Sequence, residues 1–246
     1  MSSSKSNEID SRHRRFATTS WSVVVKAGED SSPEQHQALE ALCKSYWYPL
    51  YAFLRKRHSR AEAEDITQSF FADLLEHRRL EVVDRERGRF RSFLLTALSN
   101  FRSNWVRHRN TQKRGGGRSI ISIDFEGADR RFAVEPVDQI TPERLFERSW
   151  AMTLLERAMS QLEHDYETSG KQEVFEELRV YLNDQSEVPY SKVAARLGMT
   201  TDAVRVAVHR LRKRCGDLVR QEIAQTVADP DQVDDELNDL FSVFDS

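Results

Sequence analysis

Apolar residues in this chain recur at steps of three and four, the spacing that gathers them on one side of a helix. From about Pro33 to His58 the set is Leu39, Leu42, Cys43, Tyr46, Leu50, Phe53 and Leu54, which predicts a long helix kinked at Pro49. From Ser59 or Ala61, AEAEDITQSFFADLLEH carries Ile66, Phe70 and Leu74 as its stripe, flanked by Phe71 and Leu75. A charged loop from Arg78 to Arg91 leads into SFLLTALSNFRSNWVRHRN, with Phe93, Leu94, Ala97, Leu98, Phe101 and Trp105 as apolar contacts. Thr141-Pro142-Glu143 opens another helix with a capping residue, a first-turn proline and an acid. Its apolar face is Leu145, Phe146, Trp150, Leu154, Ala158 and Leu162, and Ser169-Gly170 ends it. Val174, Phe175, Leu178, Tyr181 and Leu182 make the next helix. Residues 1–17 read as disordered, and Thr18 or Thr19 caps a short helix that Gly28 stops. Residues 110–141, which include Gly115-Gly116-Gly117, lack helical periodicity and read as a flexible linker.

The most informative stretch is YSKVAARLGMTTDAVRVAVHRLRKR. It predicts a short helix from Tyr190 to Leu197, a turn at Gly198-Met199-Thr200, and a second helix from Thr201 that extends to about Val227. Gly198 can take the left-handed conformation that ends a helix, and Thr200 can cap the next. Val204, Val208, Leu211, Cys215 and Leu218 form a buried stripe, with Arg205, His209, Arg210, Arg212 and Lys213 mostly off it. A short helix, a tight glycine turn and a basic second helix make a helix-turn-helix, whose second helix enters the major groove. The plainer alternative is two antiparallel helices with an ordinary solvated face. Charge weighs against it: from Lys192 to Arg220 there are eight basic residues and two acids, in a chain of net charge −3.

The fold class is therefore all-α, with two small helical domains joined by a flexible linker and a helix-turn-helix in the second. The expected bounds are a disordered arm at 1–17, a helical domain at 18–109, a linker at 110–141, the helix-turn-helix domain at 142–227 and an acidic tail at 228–246. Ile120-Ile121-Ser122-Ile123 is the one short run that looks like a strand. No apolar run approaches the roughly 20 residues of a membrane span. The polar start MSSSKSNEIDSRHRRF has no signal-peptide core. The two cysteines, Cys43 and Cys215, give neither a disulfide framework nor a metal spacing, so a reducing cytoplasm fits.

Charge is segregated, which matters more than its total. Phe101 to Ile123 holds six Lys or Arg residues and no acid, whereas Gln221 to Ser246 holds eight acids and no Lys or Arg. The basic zones suggest nucleic acid. The acidic tail, with Val233, Leu237, Leu240 and Phe241 at helical spacing, could dock on this protein or on a partner, or cover the basic face. Near the first basic zone, arginines interleave with aromatics, an arrangement that can hold splayed single-stranded bases. Phe93, Leu94 and Phe101 read as core; Phe90, beside the loop, is the better stacking candidate. On the preceding helix the side bearing Glu64, Asp65, Gln68 and Asp73 is a solvated face or a patch for a partner protein, and periodicity alone favours the former. The triple glycine lacks the GxxxxGK[ST] pattern and a preceding strand, so it is not read as a phosphate loop. Glu62, Glu64 and Asp65 with His77 are not at a metal-ligand spacing, and His58, His77 and His108 stand apart. The sequence points to no enzyme, catalytic residue, metal or cofactor.

Two basic helical modules on either side of a linker resemble the extracytoplasmic-function class of bacterial RNA polymerase sigma factors, over residues 36 to 220. AEAEDITQSFFADLLE looks like the family's clamp-binding helix, with Asp65 and Gln68 in a DxxQ pattern. FRSFLLTALSNFRSNWVRHR looks like the helix that follows, with Asn100 at the family's Asn and Phe93 where Trp is common. YSKVAARLGMTTDAVRVAVHRLRKR looks like the promoter-reading helix-turn-helix. Asp202-Ala203 stands where many members have Gly-Thr, and Val206-Ala207 where many have Ser-Arg.

The resemblance implies that Asp65, Gln68 and Asp73 contact core RNA polymerase, through its beta-prime and beta subunits. Arg89, Phe90, Asn100, Asn104, Trp105 and Arg107 would bind and melt the minus-ten element. Thr201, Arg205, Val206, His209, Arg210 and Lys213 would read the minus-thirty-five element. Partners are then core polymerase, promoter DNA and, as a further class, an anti-sigma factor, with no membrane. The alternative is a helix-turn-helix transcriptional regulator whose N-terminal domain senses or dimerises.

Overall fold

The structure is a computed structural model of the chain, and it describes residues 33–76, 89–109, 123–134, 140–183, 186–227 and 229–244. The expectations for the N-terminal arm and its short helix, for most of the charged loop after His77 and for the triple glycine lie outside those residues. Regular structure among the described residues is helical, apart from an isolated antiparallel bridge between Arg89 and Val227.

Helix α1 spans Pro33–Arg55 and runs unbroken through Pro49. Leu39, Cys43, Tyr46, Leu50, Phe53 and Leu54 of its expected stripe are buried, and so are Tyr48, Tyr51 and Ala52 on its other flank. Helix α2, Arg60–Glu76, starts with a reciprocal cap. Glu62 N–H donates to Ser59 Oγ at 3.4 Å while Ser59 N–H donates to Glu62 Oε2 at 3.3 Å, so two end donors of the helix are satisfied at once. Helix α3, Phe90–Arg109, begins three residues before the expected apolar run. Helix α4, Phe125–Val134, lies inside the stretch expected to be linker.

Helix α5, Pro142–Thr168, is capped as expected, with Arg144 N–H donating to Thr141 Oγ1 at 3.2 Å. Helix α6, Gln172–Leu178, passes into a 3-10 turn at Arg179–Leu182. Helices α7, Tyr190–Leu197, and α8, Thr201–Ala224, flank the expected glycine turn. A 3-10 turn at Pro230–Gln232 leads into α9, Val233–Ser242.

The described residues form two compact units. One runs up to Thr153 and resumes at Ile223; the other is Leu154–Glu222. These divisions fall elsewhere than the expected boundaries at 109, 142 and 227. The physical reason is aromatic packing. The first turns of α5 carry Phe146 and Trp150, both fully buried, and Trp150 Nε1 donates to the Tyr46 hydroxyl at 2.8 Å. Phe146 stacks on the same Tyr46 ring at 6.5 Å. That end of α5 belongs with α1.

The linker is corrected in the same way. Asp124 Oδ1 accepts from Gly127 N–H at 2.9 Å and caps α4. Ala128 is buried, and Phe125 meets Trp47 and Tyr51 at 6.2 and 5.4 Å. Asp129 accepts from the Tyr51 hydroxyl at 3.2 Å and from Arg55 Nε at 3.1 Å. Burial first, then the Asp129 charge, pushes the Tyr51 phenol up to about 12. This part of the stretch is a docked helix.

In the second unit the core is Phe175, Leu178, Tyr181, Val193, Ala194, Val204, Val208 and Leu211. Gly198 has φ +63° and ψ 28°, and its N–H and that of Met199 both close back on the Ala194 carbonyl. Thr200 Oγ1 accepts from Ala203 N–H at 3.2 Å. The turn is therefore built from the two residues whose chemistry pointed to it.

Candidate nucleic-acid interface

Helix α8 separates its faces cleanly. Val204, Val208 and Leu211 are buried, whereas Arg205, Val206, His209, Arg210 and Lys213 are exposed, and Thr201 is half-buried. Val206 is 49% exposed, a large apolar side chain in solvent in the first turns. Beside it Arg205 Nη1 reaches Asp202 Oδ1 at 3.0 Å. Both partners are largely exposed, so this pair holds Arg205 only weakly and leaves it able to turn to another anion.

Not every cation in this stretch faces outward for a ligand. Arg212 Nε donates to the Tyr181 carbonyl at 2.7 Å and holds the end of the 3-10 turn. Arg214 Nε donates to Asp165 Oδ2 at 2.9 Å. Arg196 pairs with Glu177 at 2.6 Å. The local excess of positive charge is thus partly used inside the unit, against acids contributed by α5 and α6. The Gln161 amide, at 2.8 Å, and then Arg214 hold the Asp165 carboxyl below the usual carboxylate range.

In the first unit, Asp65 and Gln68 are exposed on α2 and Asp73 is half-buried. The opposite side of α2, Ala63, Ile66, Thr67, Phe70, Phe71 and Leu74, is buried. On α3, Asn100 and Asn104 are exposed and Trp105 is half-buried; Arg107 lies in the helix, its side chain outside the description. Phe101 is half-buried and edge-on to Phe70 at 5.7 Å.

The start of α3 differs most from expectation. Phe90 is fully buried, edge-on to Tyr46 at 4.9 Å and stacked on Phe93 at 6.0 Å. Its N–H donates to the Thr226 carbonyl at 3.0 Å. It offers no face to a base in this conformation, because it packs against Tyr46 and Phe93 and is fully buried. Its neighbours are also engaged. Arg89 Nη1 lies 3.1 Å from Glu236 Oε2 and is hydrogen-bonded to Asp239. Arg91, absent from the expected site, joins them: Nη2 reaches Asp239 Oδ2 at 2.7 Å and Glu236 Oε2 at 3.1 Å. The Arg91 guanidinium also sits 4.7 Å over the Trp150 ring. The R-x-R spacing of Arg89 and Arg91 was the signal available for this pair. The acidic tail therefore docks on the first unit through α9.

Among the described residues no helix is long and apolar enough to cross a membrane, and no group of three or more His, Cys, Asp or Glu is placed to hold a metal. Neither a protein-family model, nor a curated protein, nor a solved structure matches this chain.

Proposed function

We propose that this chain is a bacterial RNA polymerase sigma factor of the extracytoplasmic-function class, a dissociable subunit that directs core polymerase to specific promoters. The observation that carries the reading is the exposed face of α8. Arg205, Val206, His209 and Arg210 crowd its first turns, with Lys213 one turn on, while the opposite stripe is buried. A helix in the major groove needs side chains for base edges near its start and cations for phosphates further along. Val206 suits a thymine methyl better than a hydrogen-bonding edge.

The rest of the assignment follows the order of the sequence motifs. Asp65 and Gln68, exposed on α2, serve as the contact to the core polymerase clamp. Asn100, Asn104 and Trp105 on α3, with Arg89, serve the minus-ten element. Strand opening then requires no hydrolysis: captured bases offset an unstacking cost of a few kcal/mol per step. The protein acts in the cytoplasm, where its polymerase is.

The test is capture of purified core polymerase by the chain, alongside Asp65→Ala/Gln68→Ala. The native chain should bind, and the double variant should bind about tenfold or more weakly, as loss of two central contacts implies. Tight binding to duplex DNA by the chain alone, with no capture of polymerase, would replace this reading by that of a helix-turn-helix regulator.

A further inference from the structure

We infer that α9 is an intramolecular stand-in for a single-stranded nucleic acid backbone: Glu236 and Asp239 occupy an anion site formed by Arg89 and Arg91, and a strand's phosphates take that site when the tail leaves. This rests on the proposed function only in placing Arg89 beside the strand.

The cluster joins two guanidiniums to Glu236 and Asp239 of the tail, and Glu147 of α5 lies 3.9 Å from Arg91 Nη1. The Glu236 side chain is 0% exposed, that of Arg91 9% and that of Arg89 29%. A guanidinium fork binds phosphate oxygens as readily as carboxylates, so the donors that grip the tail are equally suited to a strand. The fit to the tail is imperfect. Glu236 Oε1 lies 2.9 Å from Arg91 Nε but off hydrogen-bond alignment, so a buried carboxylate oxygen is left without a proper donor. Burying such charges is costly, and a buried ion pair is a weak stabiliser compared with apolar packing. Val233 and Leu240 are the residues of α9 with large buried apolar side chains, while Phe241 and Phe244 stand 52% and 40% exposed beyond them. A helix of ten residues held this way is marginal on its own.

Departure of the tail without replacement would leave Arg89 without its two tail carboxylates and Arg91 with Glu147, 3.9 Å away, as its remaining one. A polyanion removes that penalty by supplying new acceptors. Tail and strand are thus alternatives at one site.

The experiment measures binding of a fluorescent single-stranded DNA oligonucleotide to the chain alone, without polymerase. A chain ending at Val227 and the full-length Glu236→Gln/Asp239→Asn variant should both bind about tenfold or more tightly than the native chain, the factor released when a closed population near nine in ten opens. Arg89→Ala/Arg91→Ala in the shortened chain should abolish the gain, and a synthetic peptide of residues 228–246 should reverse it. Unchanged affinity in variants that circular dichroism shows to be folded would overturn the inference, as would a gain that survives loss of both arginines. If the shortened chain does not fold, the full-length amide variant decides. If neither folds, the tail is a fixed part of the unit and the inference fails. Because polymerase is absent from this measurement, its outcome is separate from that of the core-capture test.

Discussion

Arg210 and Asp165 illustrate two uses of charge in the same unit. Arg210 is exposed on α8, off the buried stripe. If it touches a base edge in the promoter complex, Arg210→Ala costs about 1–3 kcal/mol and relaxes specificity at one position, measured by competition among promoter variants. An equal loss at every sequence, with a smaller salt slope, would make it a phosphate contact instead. Asp165 serves the fold. Its carboxyl is held low by Gln161 and then by Arg214, so it binds protons less readily in the folded unit than in the open chain. That contribution is present above the ordinary carboxylate value, near 4, and is lost as pH falls through the lowered one. Thermal melts across that range should show the native chain losing stability on acidification more steeply than Asp165→Asn. Reading residues from sequence placed side chains rightly where their setting depends on their own helix, as for the buried Val204 and Val208, the exposed Arg210 and the capping Thr200. It failed for Phe90, whose burial depends on Tyr46 and Thr226, distant in sequence. The count of cations from Lys192 to Arg220 likewise could not register that Glu177 and Asp165, outside that stretch, would engage Arg196 and Arg214.

Among the elements, the α7–α8 turn depends on one backbone conformation. Gly198 has φ +63°, and a Cβ there would meet nothing within 4 Å. Gly198→Ala therefore costs about 1 kcal/mol from left-handed backbone strain alone, with no clash to relieve. Denaturant unfolding of the chain should show that loss with an unchanged slope. The turn was legible in sequence because its signals are local: a glycine, then a capping threonine. Helix α4 was not. FEGADRRFAV is short, is crossed by a glycine and carries two acids and two arginines, and it lies between a glycine triplet and Pro136. Its local sign was the Asp124 cap followed by Phe125, Ala128 and Phe132 at helical spacing. Its docking depends on Tyr51 and Arg55 of α1, an element far back in the chain. The composition of a linker and that of a short docked helix differ little until the receiving surface is known.

For the molecule as a whole, the segregation of charge was visible in the sequence, but its pairing was not. The acidic end had two basic zones to choose from, and the arginines it meets, Arg89 and Arg91, lie before both of them. The structure places α9 on Arg89 and Arg91 because Val227 pairs with Arg89 and the buried Val233 and Leu240 fix the helix there. The all-α class came directly from periodicity. The division into units did not, because α5 and α8 each run through a boundary and a long helix gives no sign in sequence of where its partners change. Under the proposed function, promoter selection would draw on α2, α3 and α8 together. The most direct measurement is transcription by purified core polymerase from a pool of random-sequence templates, with and without the chain, both full-length and ending at Val227, read by sequencing transcript 5′ ends. The account predicts start sites that appear only with the chain and share two blocks of upstream sequence, more abundantly for the shortened chain. Start sites that neither form of the chain changes would contradict it.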